Sequence, residues 1–111
     1  MSDARRNAKR RGDDFERSRA RDLQRYGFEN ARRGQVFNGE PDIVGVPGWH
    51  FEMKNHKTTH VTAWWEQAEK DAAKRKDGVP VVVFSLPGHH KPMALITWKT
   101  FLGLIGKEMK E

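Results

Sequence analysis

The chain has 111 residues, enough for one domain with a single modest core. Twenty-one Lys and Arg against fifteen Asp and Glu give a formal net charge of +6, which favours a polyanionic partner, with nucleic acid first. The absence of cysteine excludes a disulfide framework, and no apolar run or N-terminal signal pattern indicates membrane contact or secretion, so we expect an intracellular protein.

The first twelve residues are strongly basic and contain almost no apolar side chain. They cannot bury a face, so we predict that residues 1–12 form a flexible basic arm and residues 13–111 a single folded domain. Such an arm either contacts DNA phosphates or is a solvated tail, and we favour DNA contact. The residues concerned are Arg5, Arg6, Lys9, Arg10 and Arg11.

The first half of the domain contains signals for a helix and three strands. A helix is predicted from Asp13 to Tyr26, with Asp13 as its N-cap and Gly27 as the residue that ends it. The Pro47-Gly48 pair predicts a tight hairpin turn between two extended segments. The three predicted strands cover residues 28–33, 42–46 and 49–54.

The second half contains a helix, two strands and a terminal helix. Trp64, Trp65 and Ala68 belong to an apolar stripe at helical spacing, which predicts a helix from about Thr62 to Lys76. Further elements are a buried strand at 79–86, an edge strand at 93–97 and a helix at 98–106. The order of elements predicts an α/β fold with a mixed central sheet flanked by helices.

The charged residues of the second and third strands form the informative pattern. Side chains alternate along a strand, so Glu52 and Lys54 point to one face while Phe51 and Met53 point to the other. An adjacent hairpin strand would bring Asp42 near Glu52. Two carboxylates suit Mg²⁺, which prefers oxygen ligands, and a nearby Lys can orient a water or stabilise a transition state. This set favours phosphodiester hydrolysis.

Pro41-Asp42, nine intervening residues and Glu52-Met53-Lys54 resemble the motif of the PD-(D/E)xK nuclease superfamily. The order of elements resembles its restriction-endonuclease-like αβββαβ core. Within that superfamily the chain is most similar to the archaeal-type Holliday junction resolvases and their phage relatives. The resemblance implies a Mg²⁺-dependent endonuclease, with Mn²⁺ expected to substitute, that cuts four-way DNA junctions as a homodimer.

The resemblance also implies roles for individual residues. Asp42 and Glu52 would bind the metal with the Met53 carbonyl as a further ligand, and Lys54 would act on the attacking water. Glu16 would support the metal as a catalytic residue, and Gln67 would support the site from the second helix. Glu16 and Gln67 each have an alternative, purely structural interpretation. Glu16 fits the capping box that begins at Asp13, and Gln67 also borders the apolar stripe.

Further basic residues lie close in the sequence to the proposed metal ligands. Arg32 and Arg33 either hold a phosphate or form an ordinary exposed strand end, and we favour phosphate contact because the carboxylates would otherwise repel DNA. Lys57, with His56 and His60 beside it, is expected on a DNA-facing loop. We do not expect zinc, because no two of the five histidines stand at a ligand spacing on a helix.

Two other functions remain open from the sequence. A nicking or restriction-like DNA endonuclease of the same fold would cut linear duplex without a preference for junctions. A catalytically inactive DNA-binding module would bind DNA in a salt-sensitive way and cleave nothing in Mg²⁺ or Mn²⁺. The presence of Asp42, Glu52 and Lys54 together favours the catalytic alternatives.

Overall fold

A computed structural model describes residues 2–56 and 58–106. The predicted order of helices and strands is confirmed, and the chain has an α/β fold with a mixed sheet flanked by helices. The elements are α1 (Asp3–Arg25), β1 (Arg32–Arg33), β2 (Ile43–Val44), β3 (Gly48–Lys54), α2 (Val61–Arg75), β4 (Gly78–Ser85), β5 (Pro92–Leu95) and α3 (Trp98–Ile105). A short 3₁₀ turn at Val36–Asn38 lies between β1 and β2.

The five strands lie side by side in chain order. Neighbouring strands are antiparallel except β3 and β4, which are parallel over the whole of β3. Parallel strands need a crossover connection, and α2 provides it. The strand β3 is thereby paired on both edges and occupies the centre of the sheet.

Two apolar clusters lie on opposite faces of this sheet, because the side chains of β4 alternate between them. Val81 and Val83 pack with Ala20 of α1, whereas Val82 and Phe84 pack with α2. The predicted helical stripe of α2 is confirmed, with Trp64, Ala68 and Ala72 all buried. The sheet is therefore the middle of three layers. No helix in the described part of the chain combines the length and apolarity needed to cross a membrane.

The flexible arm predicted for residues 1–12 is wrong for residues 3–12, which continue α1 towards the N-terminus. Ser2 caps the helix by accepting a hydrogen bond from the Arg5 amide at 3.2 Å. Ion pairs at helical spacing join Arg6 to Asp3, and Lys9 to Asp13 at 3.1 Å. Ala, Arg and Lys are good helix formers, so the segment extends a helix that is already nucleated although it buries no residue of its own.

The two ends predicted for the first helix have different outcomes. Asp13 lies inside α1 and is not its N-cap, so the capping-box interpretation of Glu16 is also wrong. The predicted C-terminal end is confirmed. Gly27 has φ +105°, its amide donates to the Gln24 carbonyl, and the Phe28 amide donates to the Leu23 carbonyl, which is the Schellman arrangement.

Strands β1 and β2 are shorter than the predicted 28–33 and 42–46. A turn closed by the bond from the Ala31 amide to the Phe28 carbonyl takes up the start of the first segment. Gly45 ends β2 with φ +90°, and a Cβ at this position would lie 2.0 Å from the Asn30 carbonyl oxygen. The close approach of these two backbone segments replaces regular strand pairing there.

The substitution Gly12→Ala tests whether residues 3–12 are helical. Gly12 lies within α1 and a Cβ would meet nothing within 4 Å, so Ala should stabilise the helix by about 0.5–1 kcal/mol. Circular dichroism at 222 nm and the unfolding midpoint would measure the gain. Gly27→Ala is the matched control and should destabilise the protein by about 1 kcal/mol, because its φ is positive. An unchanged unfolding midpoint with Gly12→Ala would support a flexible arm.

Candidate active site

The register of β2 against β3 determines where the two motif carboxylates meet. Ile43 pairs with Phe51, so Asp42, one residue earlier, lies opposite Glu52, one residue later. The amide of Met53 donates a hydrogen bond to Asp42 Oδ2 at 2.7 Å. The structure thereby brings together the two carboxylates that the sequence singled out and fixes the first of them against the backbone of β3.

Burial and neighbouring groups change the ionisation of the two carboxylates. Burial is the largest cause that raises the pKa of Asp42, to about 7, and the negative charges of Glu52 and Glu16 add to it against the Met53 hydrogen bond. Burial also raises the pKa of Glu52, but hydrogen bonds from His50 and Asp42 outweigh it and lower that pKa below its usual value. Without a cation, the two groups therefore tend to share a proton.

Glu52 is held by a buried histidine that the sequence analysis did not assign to the site. His50 Nε2 lies 2.9 Å from Glu52 Oε1, and Nδ1 lies 2.8 Å from Asp77 Oδ1. Burial lowers the pKa of His50, but its bonds with these two carboxylates raise it overall. His50 shares the strand parity of Glu52 and Lys54, which could have identified it. Asp77 follows α2 and gives no such signal in the sequence.

Lys54 lies two residues beyond Glu52 on the same face of β3. Its Nζ is 3.5 Å from Oε1 of Gln67, so the predicted supporting residue does reach the end of the site. Lys54 is half-buried and Gln67 is exposed. The ammonium group is thus placed beside the carboxylates and remains accessible to a ligand.

Glu16 lies near Asp42, since its charge contributes to the raised pKa of that residue, but its carboxylate is occupied. Arg33 Nε donates to Glu16 Oε2 at 2.9 Å, and the same guanidinium donates to Asp13 at 2.8 Å. Burial lowers the pKa of Arg33, but these two carboxylates raise it overall. Through these two ion pairs Arg33 joins α1 to β1. The metal role of Glu16 and the phosphate role of Arg33 remain predictions.

The other predicted DNA contacts lie on the surface. Arg32 is exposed and faces Glu40 at 3.4 Å. The five basic residues of the first half of α1 are also exposed, so each can meet a phosphate. They are Arg5, Arg6, Lys9, Arg10 and Arg11. Lys57 lies outside the described residues.

A cavity of about 270 Å³ opens beside Glu52. Its charged lining residues are three acids and two basic residues of the last turn of α2, namely Glu40, Glu52, Asp71, Lys74 and Arg75. Asp42 and Lys54 do not line it. The two basic side chains are thus placed to meet an anion beside Glu52.

The oxygen atoms of the two carboxylates are of the kind that Mg²⁺ prefers as ligands. Among residues 2–56 and 58–106, no group of three or more His, Asp or Glu side chains is placed to hold a metal ion. Mg²⁺ commonly binds through one or two carboxylates and takes its remaining ligands from water and substrate phosphate. Asp42 and Glu52 provide such a pair, and the nitrogens of His50 are already engaged by carboxylates.

The substitution Asp42→Asn should stabilise the metal-free protein at high pH. The pKa of Asp42 is raised in the folded state, so its contribution to stability falls as the pH rises from about 4 through 7 and is constant above. Asn can still accept the Met53 bond and carries no charge. Chemical denaturation measures the free energy of unfolding of both proteins at pH 5 and pH 8. The difference in favour of the variant should be larger at pH 8 than at pH 5 by about 2–4 kcal/mol.

The effect of Mg²⁺ on thermal unfolding tests the same residue. Mg²⁺ should raise the unfolding temperature of the wild type at pH 8 and leave that of Asp42→Asn nearly unchanged, because a ligand stabilises only the state that binds it. If the stability of the two proteins changed with pH in the same way, or if Mg²⁺ stabilised both equally, the assignment of Asp42 as a metal ligand with a raised pKa would be contradicted.

Comparison with known proteins adds no family assignment to this geometry. No protein-family model matches the chain, and neither the curated proteins nor the solved structures contain a significant match. The functional conclusion therefore depends on the arrangement of Asp42, Glu52 and Lys54 and on the motif that they form.

Proposed function

We propose that the chain is a Mg²⁺-dependent endonuclease of the PD-(D/E)xK type that hydrolyses phosphodiester bonds in DNA, with four-way junctions as its substrate. The observation that carries this proposal is the meeting of Asp42 and Glu52 across β2 and β3, with Lys54 on the face of Glu52. The order α1, β1, β2, β3, α2, β4 is also the order of that superfamily's core.

The chemistry divides among three side chains. Asp42 and Glu52 would hold Mg²⁺, which would supply charge neutralisation on the phosphate and a lowered pKa of bound water. Lys54 orients the water for in-line attack and faces the developing negative charge. A bond forms between the water oxygen and phosphorus, and the bond from phosphorus to one ester oxygen breaks. The attacking water gives up a proton to solvent, and the leaving ester oxygen takes one up from solvent to become a hydroxyl. Gln67 limits the positions that the Lys54 ammonium can take.

The extended helix α1 supports binding to DNA. Residues at helical spacing line up along one side of it, so Arg5 and Lys9 stand in the row that leads to Glu16 at the edge of the site. A helix holds these cations in a fixed row, whereas a flexible arm would have to be ordered on binding. Duplex DNA leaving the site can therefore meet a preformed line of positive charge.

The helix α3 supports a homodimer. It buries no residue, and Trp98, Leu104 and Ile105 are 70%, 59% and 63% exposed. An eight-residue helix is unstable in water without packing, so this apolar face needs a partner. We assign that place to the same face of a second copy, because paired cuts in a symmetric junction require two equivalent sites and a two-fold interface is self-complementary.

The substitution Glu52→Gln tests the site directly. Cleavage of a four-way junction in Mg²⁺ should fall at least about 100-fold, because the metal loses a charged ligand. Glu69→Gln is the matched control, since Glu69 is exposed on α2. Initial rates on labelled junction and on linear duplex of the same sequence give both activity and substrate preference.

The outcomes separate the three candidate functions. Cleavage of the junction well above linear duplex, lost in Glu52→Gln alone, is the expected result. Equal rates on both substrates would indicate a nicking or restriction-like endonuclease. Salt-sensitive binding with no cleavage in Mg²⁺ or Mn²⁺ would indicate an inactive DNA-binding module.

The proposed dimer is tested by Leu104→Glu. A charge on the exposed apolar surface of α3 should convert a dimer to a monomer, as measured by light scattering across a concentration series. Lys99→Glu, on the same helix at an exposed position, is the control and should leave the dimer intact. A wild type that remains monomeric at about 100 µM would contradict the assignment, since a stable dimer has a far lower dissociation constant.

A further inference from the structure

We infer that His50 is a positioning residue, which holds the Glu52 carboxylate in the orientation needed for metal binding and is itself tethered by Asp77. The inference rests on the proposed function, because it concerns how the two carboxylates of that site come to bind a cation. It adds two residues, His50 and Asp77, to the three that the motif contains.

The geometry of His50 leaves its ring little freedom. The residue is fully buried at 0% exposure, in the middle of the central strand β3. One ring nitrogen lies 2.9 Å from Glu52, and the other lies 2.8 and 3.0 Å from the two oxygens of Asp77. Burying a polar ring is costly unless both nitrogens have partners, and rotation of this ring would break both contacts.

The tether begins in the turn between α2 and β4. Lys76 ends α2 in the left-handed conformation, with φ +55°, and Gly78 follows with φ +138°. This sharp reversal places Asp77 beside β3, where Arg75 Nε also contacts its Oδ2 at 3.3 Å. Pairing of Gly48 with Gly78 fixes the turn against the start of β3. The position of Asp77 is therefore determined by backbone structure.

Glu52 needs such a partner more than Asp42 does. Asp42 has a short side chain and is fixed by the Met53 amide, whereas Glu52 has one more rotatable bond and is fixed through His50. Each bond occupies one carboxylate oxygen. Among the described residues, Oδ1 of Asp42 and Oε2 of Glu52 accept no N–H donor. Loss of a residue that hydrogen-bonds to a metal ligand typically weakens metal binding 10- to 100-fold.

Two substitutions of His50 separate positioning from packing. In His50→Gln the side-chain amide can reach the place of Nε2 and keep the bond to Glu52, while the bond to Asp77 is lost. In His50→Asn the shorter amide takes the place of Nδ1, so it keeps Asp77 and loses Glu52. Both variants shrink the same buried ring, so both should lose stability to a similar extent.

The readout is Mn²⁺ binding without DNA, followed by the electron paramagnetic resonance signal of free Mn²⁺. We expect His50→Gln to bind Mn²⁺ within about threefold of the wild type and His50→Asn to bind it 10- to 100-fold more weakly. Denaturant unfolding measures the stability of each variant in parallel. Equal Mn²⁺ affinities of the two variants, or a weaker affinity for the Gln variant, would overturn the inference alone.

A wild type that binds no Mn²⁺ would overturn the proposed function together with this inference. If neither His50 variant folds, Asp77→Ala provides the test, since the Asp77 side chain is 26% exposed and its loss removes the tether together with one ion pair to Arg75. This variant should bind Mn²⁺ more weakly than the wild type by at least about threefold, a smaller loss than removal of the partner itself. An unchanged affinity would overturn the role of the tether.

Discussion

The antiparallel pairing of β2 with β3, with Ile43 opposite Phe51, is the constraint on which the site depends. It places Asp42 opposite Glu52 in a buried position, where burial first, and then the charges of Glu52 and Glu16, raise the pKa of Asp42. A slip of one residue would turn every side chain of the strand to the other face of the sheet. The same pairing buries Phe51 and Met53, so the apolar core fixes the register of the acidic pair.

The charged face of β3 is enclosed by elements from distant parts of the sequence. The helix α2 contributes Gln67 at one end and a cationic last turn at the other, because it crosses over β3 to reach the parallel strand β4. The helix α1 lies on the opposite face and extends as a basic rod. Carboxylates that are costly to ionise thus lie near positive charge, which is the arrangement that the proposed metal-assisted hydrolysis requires.

The polar side chains buried around the site are held by hydrogen bonds and ion pairs. Among the described residues, the buried polar or charged side chains are His50 and Glu52, which bond to each other. His50 also bonds to Asp77, and Glu52 to Asp42. Arg33 likewise neutralises Glu16 and Asp13 between α1 and β1. No buried side-chain nitrogen or oxygen of the described residues lacks a hydrogen bond, so the buried polar groups of the site have partners before any ligand binds.

The sequence by itself determined the α/β class, the element order and the parity of Glu52 and Lys54, because hydrophobic periodicity and strand alternation are local properties. It failed for residues 3–12, where low hydrophobicity hid a helix stabilised by its own ion pairs and by continuity with α1. Only the tertiary structure decided that Arg33 engages Glu16 and that Asp77 reaches His50. Those contacts join residues 17 and 27 positions apart, and no local pattern records which distant partner a buried charge will meet.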